Sequence, residues 1–139
     1  MTSTTERSRA TITSIMEALS RGETRPFGEA MADDFTWRMT GTTAWSGNYV
    51  GKADVQGRML KTLRQQWASQ YTSTPSRILA DGDYVVVETR GNVVTRTGKP
   101  YNNTYLWHMT FKDGQVIDVK AFLDTFVLND LMVRVKPTR

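Results

Sequence analysis

Cysteine is absent from this sequence, and histidine occurs once, at His108. The first absence excludes disulfides, thiolate metal sites and a cysteine nucleophile. The second excludes multi-histidine zinc and copper centres. A carboxylate-bound magnesium or calcium ion is the metal class left over, and no ligand-spaced acidic cluster supports one. No cofactor is therefore expected. Long apolar runs are missing as well: nothing approaches the roughly 18 consecutive apolar residues that cross a bilayer. The polar start, Met1 to Ser8, lacks the apolar segment of a secretory signal. These readings give no membrane partner and a cytoplasmic location. Asn102-Asn103-Thr104 matches a glycosylation sequon, which without a signal reads as an accident of a polar strand.

Charge of one sign is only mildly in excess. Lys and Arg number 18 against 14 Asp and Glu, a net +4. The basic residues are scattered, and only Arg134, Lys136 and Arg139 concentrate charge, in what reads as a solvated tail. With no basic stripe and no recognition motif, no nucleic-acid partner is expected. The 139 residues fit a single domain, 1–139, long enough to bury a sizeable core without staples.

The first half reads as helical. Ser3 and Glu6 stand in capping-box spacing ahead of Ile12, Ile15, Met16 and Leu19, one amphipathic stripe that Gly22 ends. Pro26 opens a short second helix with Phe27, Ala30 and Met31 on one face. Phe35, Trp37 and Met39 alternate as a strand. Residues 40–51 read as a loop carrying two exposed aromatics, Trp45 and Tyr49. A third helix over 52–68 places Val55, Met59, Leu63 and Trp67 at four-residue intervals, Trp67 as core. The second half changes period. Residues 72–79 read as an edge strand interrupted by Pro75. Asp81-Gly82-Asp83 turns into a strand from Tyr84, residues 97–100 reverse the chain into 101–112, and Asp113-Gly114 is a strong hairpin signal leading into 116–125. Val127, Leu128, Leu131 and Met132 lie on a last short helix. Helices followed by an antiparallel meander give an α+β fold in which a curved antiparallel sheet wraps around three helices, with a pocket expected in its concavity.

A two-residue turn at Asp113-Gly114 pairs Lys112 with Gln115, Phe111 with Val116 and Tyr105 with Phe122, and sets Asn103 beside Asp124. Regular pairing puts Asp118 and Lys120 on the face of Trp107 and Met109, where charge is awkward; a bulge between Val116 and Phe122 moves them out. Both pairings stand. Asp124, among Phe122, Leu123, Phe126 and Val127, is a candidate acid/base with its pKa raised by an apolar setting and with Tyr105 and Asn103 as donors. The alternative, and the favoured one, is that it caps the last helix, and the two roles are compatible. Glu88 and Arg90 share one strand face, either as a buried pair that positions substrate or as an exposed ladder. His108 points away if Trp107 and Met109 point in. Trp37 is a candidate pocket wall, and Trp45 and Tyr49 a candidate lid.

The order of these elements, together with residues 81–88, 101–105, 111–116 and 122–125 and Gly51-Lys52-Ala53-Asp54-Val55 opening the third helix, resembles the SnoaL-like, ketosteroid-isomerase-like branch of the nuclear-transport-factor-two-like superfamily. That superfamily includes ketosteroid isomerase, scytalone dehydratase and limonene epoxide hydrolase. The resemblance implies a cone-shaped α+β barrel, a deep apolar pocket, a homodimer and no cofactor. Its polyketide cyclases use an aspartate late in the chain, which Asp124 matches. The Asp-Arg-Asp set of its epoxide hydrolases lacks its first part here, and Glu88-x-Arg90 only echoes the rest. Two readings follow. One is a cofactor-independent lyase or isomerase acting on an apolar carbonyl compound, with Asp124, Tyr105 and Asn103 catalytic and Trp37, Trp45, Tyr49, Glu88, Arg90, Trp107 and Phe122 binding substrate. The other is a non-catalytic hydrophobic-ligand-binding or dimeric interaction module of the same fold.

Overall fold

The computed structural model describes residues 3–132. Helices α1 (Thr4–Ser20) and α2 (Arg25–Ala30) precede strands β1 (Met31–Met39) and β2 (Gly47–Val50). A third helix, α3, covers 52–64, and strands β3 (Thr72–Asp81), β4 (Tyr84–Asn92), β5 (Thr104–Lys112) and β6 (Gln115–Leu123) follow. Helix α4 (Thr125–Met132) ends the described chain; the basic tail lies outside the described residues. The fold is α+β, as expected. One curved sheet runs β2-β1-β6-β5-β4-β3, and its neighbours are antiparallel except β1 and β6, which are parallel. That pair departs from the all-antiparallel expectation. Parallel strands need a long crossover, and everything from β2 to β5 supplies it.

At the N-terminus of α1, Glu6 N–H donates to Ser3 Oγ at 3.1 Å while Ser3 N–H donates to the Glu6 carboxylate at 3.2 Å, a complete capping box. The stripe Ile12, Ile15, Met16 and Leu19 is buried, and α1 lies against β3 and β4. Gly82 N–H donates to Thr5 Oγ1 at 2.8 Å, which ties the start of the helix to the β3–β4 turn.

Between β5 and β6 the chain chooses the bulged pairing. Asp113 and Gly114 both take left-handed backbone, φ 51° and 78°, as a two-residue hairpin requires. Lys112 pairs with Gln115 and Phe111 with Val116, but Thr110 then pairs with Asp118, so Ile117 is the extra residue. From there the faces of β6 are exchanged. Val119 and Ala121 are buried opposite Met109 and Trp107, whereas Asp118 and Lys120 face outward. Burying two unmatched charges is costly; outside, Asp118 instead accepts from Arg38 Nε at 2.8 Å. Tyr105 consequently pairs with Leu123 and not with Phe122.

Two local readings are corrected. Residues 47–50 form an edge strand rather than a loop, and Trp45 and Tyr49 are core residues at 0% and 4% exposure. Tyr49 O–H donates to the Trp45 carbonyl at 2.7 Å, locking the two together. The third helix stops at Arg64, and its central segment, Val55–Leu60, is π-helical. Trp67 lies beyond it, half-buried, where the backbone of 66–69 pairs with the loop after β4: Ala68 N–H donates to Val94 O and Arg96 N–H to Gln66 O. Those bonds outcompete continuation of the helix.

Candidate functional site

A cavity of about 420 Å³ opens between the inner face of the sheet and helices α1 to α3, with α4 contributing Leu128. Phe27, Trp37, Met39, Met59, Trp107 and Leu128 form buried wall. Each reaches it for a local reason. Trp37 and Met39 occupy alternate positions of β1, Trp107 faces in from β5, and Phe27 sits on the one turn and a half of α2. Phe27, Trp37 and Trp107 pack mutually, with ring centroids 5.7 to 6.2 Å apart. The π-helical segment widens α3, and Gln56, Met59, Leu60, Leu63 and Arg64 all border the space. The exposed members of the lining, Thr24, Arg64, Ser69 and Gln70, mark the mouth. There Gln70 Nε2 donates to the Gly22 carbonyl at 3.1 Å, joining the loop before β3 to the α1–α2 turn.

Away from the mouth, three tyrosines and Gln56 give the lining its polar side chains. Trp67 stacks on Tyr71 (6.2 Å, 18°) and on Tyr101 (5.6 Å, 15°). Tyr105 O–H donates to the Tyr101 oxygen at 3.4 Å, and Asn103 Nδ2 donates to the same oxygen at 3.0 Å. Tyr71 is hydrogen-bonded to Tyr105 and to Ser73, whose hydroxyl lies 2.6 Å from that of Thr89. The result is a hydroxyl chain crossing β3, β4 and β5. Gly91 leaves room for it, since a Cβ there would lie 2.7 Å from the Tyr71 oxygen. Burial pushes the Tyr71 phenol up to about 12 and the Tyr105 phenol well above its ordinary range. Tyr101 is raised too, by burial first, against the opposing hydrogen bonds of Tyr105 and Asn103. All three are therefore neutral donors at neutral pH. Two further donors, the Nε1 atoms of Trp37 and Trp107, are buried with no partner among the described residues. No Asp, Glu, His or Lys among the described residues lines the cavity, and Arg64 is the one charged side chain that does.

Of the residues singled out from sequence, Trp37, Trp107 and Tyr105 meet at this cavity. Asn103 is fully buried behind it as a bracket. Its Oδ1 accepts from Thr104 N at 2.8 Å and Asp124 N at 3.1 Å, while its Nδ2 also donates to the Asp124 carbonyl at 3.1 Å. Asp124 itself is exposed, outside the lining. Its Oδ1 accepts from the backbone N–H groups of Phe126 (3.0 Å) and Val127 (3.3 Å), so its carboxylate caps α4. Trp45 and Tyr49 are core and form no lid. Phe122 is on the outer face, put there by the bulge, and Leu123 takes the lining position. Glu88 and Arg90 are exposed on the outer face because Val85, Val87, Thr89 and Gly91 claim the inner one. His108 faces outward as expected and stacks on Tyr84 at 5.9 Å. Tyr71, Tyr101, Trp67 and Arg64 were missed. Tyr101, Asn103 and Tyr105 stand two apart, a same-face spacing that the sequence carries openly.

The SnoaL-like domain family matches residues 12–119. The chain belongs to the SnoaL-like family. Its relatives of known structure share the nuclear-transport-factor-two-like fold at low identity. Bal32a, from a soil-derived mobile gene cassette, is 18% identical with a TM-score of 0.78, covering 91% of this chain and 97% of its own. A candidate SnoaL-like polyketide cyclase from Jannaschia sp. CCS1 is 16% identical with a TM-score of 0.73, covering 92% of each chain. TerC, co-crystallised with polyporic acid, is 18% identical with a TM-score of 0.74, covering 90% of this chain and 97% of its own. No curated protein matches this SnoaL-like sequence.

Two outcomes follow from the site's hydrogen bonds. Asn103→Ala strips partners from Tyr101 and from the backbone of Asp124 and is expected to destabilise by about 2–3 kcal/mol. Asp124→Ala removes only a cap and is expected to cost about 1 kcal/mol. Urea unfolding of the two variants checks the order, and a larger loss at Asp124 contradicts the bracket. Above pH 10 the unfolded tyrosines ionise while the raised phenols of the fold do not, so stability is expected to fall as pH rises from 10 towards 12. Absorbance at 295 nm, compared with Tyr71→Phe, reads the late-titrating phenol directly.

Proposed function

We propose that this protein binds an apolar small molecule carrying a hydrogen-bond-accepting oxygen, such as a ketone, in the cavity between sheet and helices. The observation that carries this reading is the hydrogen bonding of Tyr101. Its oxygen already accepts from Asn103 and from Tyr105, which leaves its own proton for an acceptor in the cavity. Large aromatic and methionine side chains supply an apolar surface of the size of a small multi-ring compound. The co-crystallisation of TerC, a protein of the same fold, with polyporic acid supports the reading.

The other reading, a cofactor-independent lyase or isomerase of the kind that the name of the Jannaschia relative points to, draws on the same donors. A neutral phenol aimed at a carbonyl is the oxyanion half of such a mechanism. The proton-abstracting half has less support, because Asp124 is engaged with the N-terminus of α4 and no other carboxylate or imidazole among the described residues borders the space. Binding is therefore the function that we put forward, and assembly as a homodimer in the cytoplasm is part of the same proposal.

Native mass spectrometry of the protein purified from its own source is expected to show a co-purifying apolar molecule. The ketone fluorophore 6-propionyl-2-(dimethylamino)naphthalene gives a defined probe, since its emission shifts to the red when its carbonyl accepts a hydrogen bond. Tyr101→Phe is expected to weaken its binding about fivefold, the worth of one neutral hydrogen bond, and to move the emission to the blue. Asp124→Asn, which keeps a capping side chain, is expected to bind it unchanged. Loss of binding in a folded Asp124→Asn protein restores the acid/base reading.

A further inference from the structure

The cavity is electrostatically lopsided. Of its polar lining side chains, Thr24, Gln56, Ser69, Gln70 and the tyrosines are neutral, and Arg64 alone is charged. Arg64 is exposed, stands at the mouth on the last turn of α3, and makes no hydrogen bond or ion pair among the described residues. Its situation differs from that of other arginines near the mouth. Arg21 is paired with Glu23 at 3.4 Å and Arg25 with Glu29 at 2.7 Å, so the carboxylates of that edge are already engaged. Further back on α3, Arg58 is held by Asp54 at 2.8 Å and lies over the Tyr49 ring. Arg64 is thus a guanidinium with its donors available among the described residues, at the mouth of an otherwise uncharged apolar lining.

We infer that the ligand is an apolar anion: its hydrophobic body fills the cavity, and an acidic group, carboxylate or sulfonate, docks on Arg64 at the mouth. The inference rests on the ligand-binding reading above and adds the charge of the ligand to it. A guanidinium presents a planar fork of N–H donors that fits a carboxylate or sulfonate with two parallel bonds. No acidic side chain stands in the described lining, and the carboxylates nearest the mouth, Glu23 and Glu29, are paired with Arg21 and Arg25. Placing the acidic group at the rim also keeps it partly hydrated, so the ligand need not carry a bare charge into the apolar interior.

A matched pair of fluorescent probes separates the two claims. N-phenyl-1-naphthylamine is neutral, and 8-anilinonaphthalene-1-sulfonate is the same ring system with a sulfonate added. Both are expected to bind the full-length protein. The sulfonate is expected to bind about fivefold more tightly at low salt, the upper end for a partly exposed ion pair, and to lose that advantage at high salt. Arg64→Gln is expected to abolish the preference while leaving the neutral probe unchanged. Arg77→Gln, the same change of net charge on exposed β3, is expected to leave both unchanged. Failure of both probes to bind overturns the cavity reading together with this one. Binding of the neutral probe with no preference for the sulfonate overturns the anion inference alone. So does a preference that survives Arg64→Gln or falls equally in Arg77→Gln.

Discussion

One extra residue, Ile117, decides which side of β6 looks inward. Strand side chains alternate with period two, so a single inserted residue exchanges the faces of everything beyond it. Ahead of the bulge Phe111 and Val116 are buried together; behind it Val119, Ala121 and Leu123 continue the inner face, and Asp118, Lys120 and Phe122 are turned out. The strand β1 takes its register from this outcome, since Trp37 lies opposite Val119 and Met39 opposite Ala121 in the parallel pair. Trp37 and Trp107, the two indoles of the cavity wall, flank the same segment of β6 from either side. Without the bulge, Asp118 and Lys120 would stand between them, and the wall would be charged.

The buried polar atoms of that wall are indole N–H and phenol groups. Buried donors without partners cost on the order of 1–3 kcal/mol each, and two indole N–H groups have none among the described residues at the edge of this space. The tyrosines are better provided for, because Ser73, Thr89 and Asn103 pass hydrogen bonds along the strands behind them. The arrangement holds the phenols in fixed positions and keeps them protonated, which is what recognition of an acceptor asks of them. The same chain connects site and scaffold: Asn103 holds Tyr101 with one hand of its amide and the backbone of Asp124 with the other, so the start of α4, and through it Leu128, is positioned by the residue that sets the phenol. Cap and cavity are one structure.

How much of this the sequence carries depends on whether a local rule or a long-range competition decides. The capping box of Ser3 and Glu6, the stripe of α1, the Asp113-Gly114 turn and the edge position of the Pro75 strand are local, and the structure has them all. The π-helical turn of α3 and the departure of Trp67 from it are not, because the backbone bonds that draw 66–69 away come from the loop after β4. Trp45 and Tyr49 look exposed in a run of Thr, Ser, Gly and Asn, but β2 adds itself to β1 and folds both rings into the core. At the site, Trp37, Trp107 and Tyr105 were legible through alternation. Tyr71 and Arg64 were not, since one sits just before a strand and the other at the last residue of a helix, and each reaches the cavity through the path of the chain rather than through its period.

Asp124 is the late aspartate to which the resemblance points, and in the structure its carboxylate caps α4. The residue type and place match, and donors stand nearby, yet what a carboxylate does is set by which N–H groups reach it first. The first turn of α4 offers two, at 3.0 and 3.3 Å, and the carboxylate is exposed, outside the cavity lining. Those two bonds occupy acceptor positions of the carboxylate. With that carboxylate committed to the scaffold, the charge that remains at the cavity is positive and lies at its mouth, on Arg64. Among the described residues the cavity is thus an apolar space with neutral phenols inside and a single guanidinium at its rim.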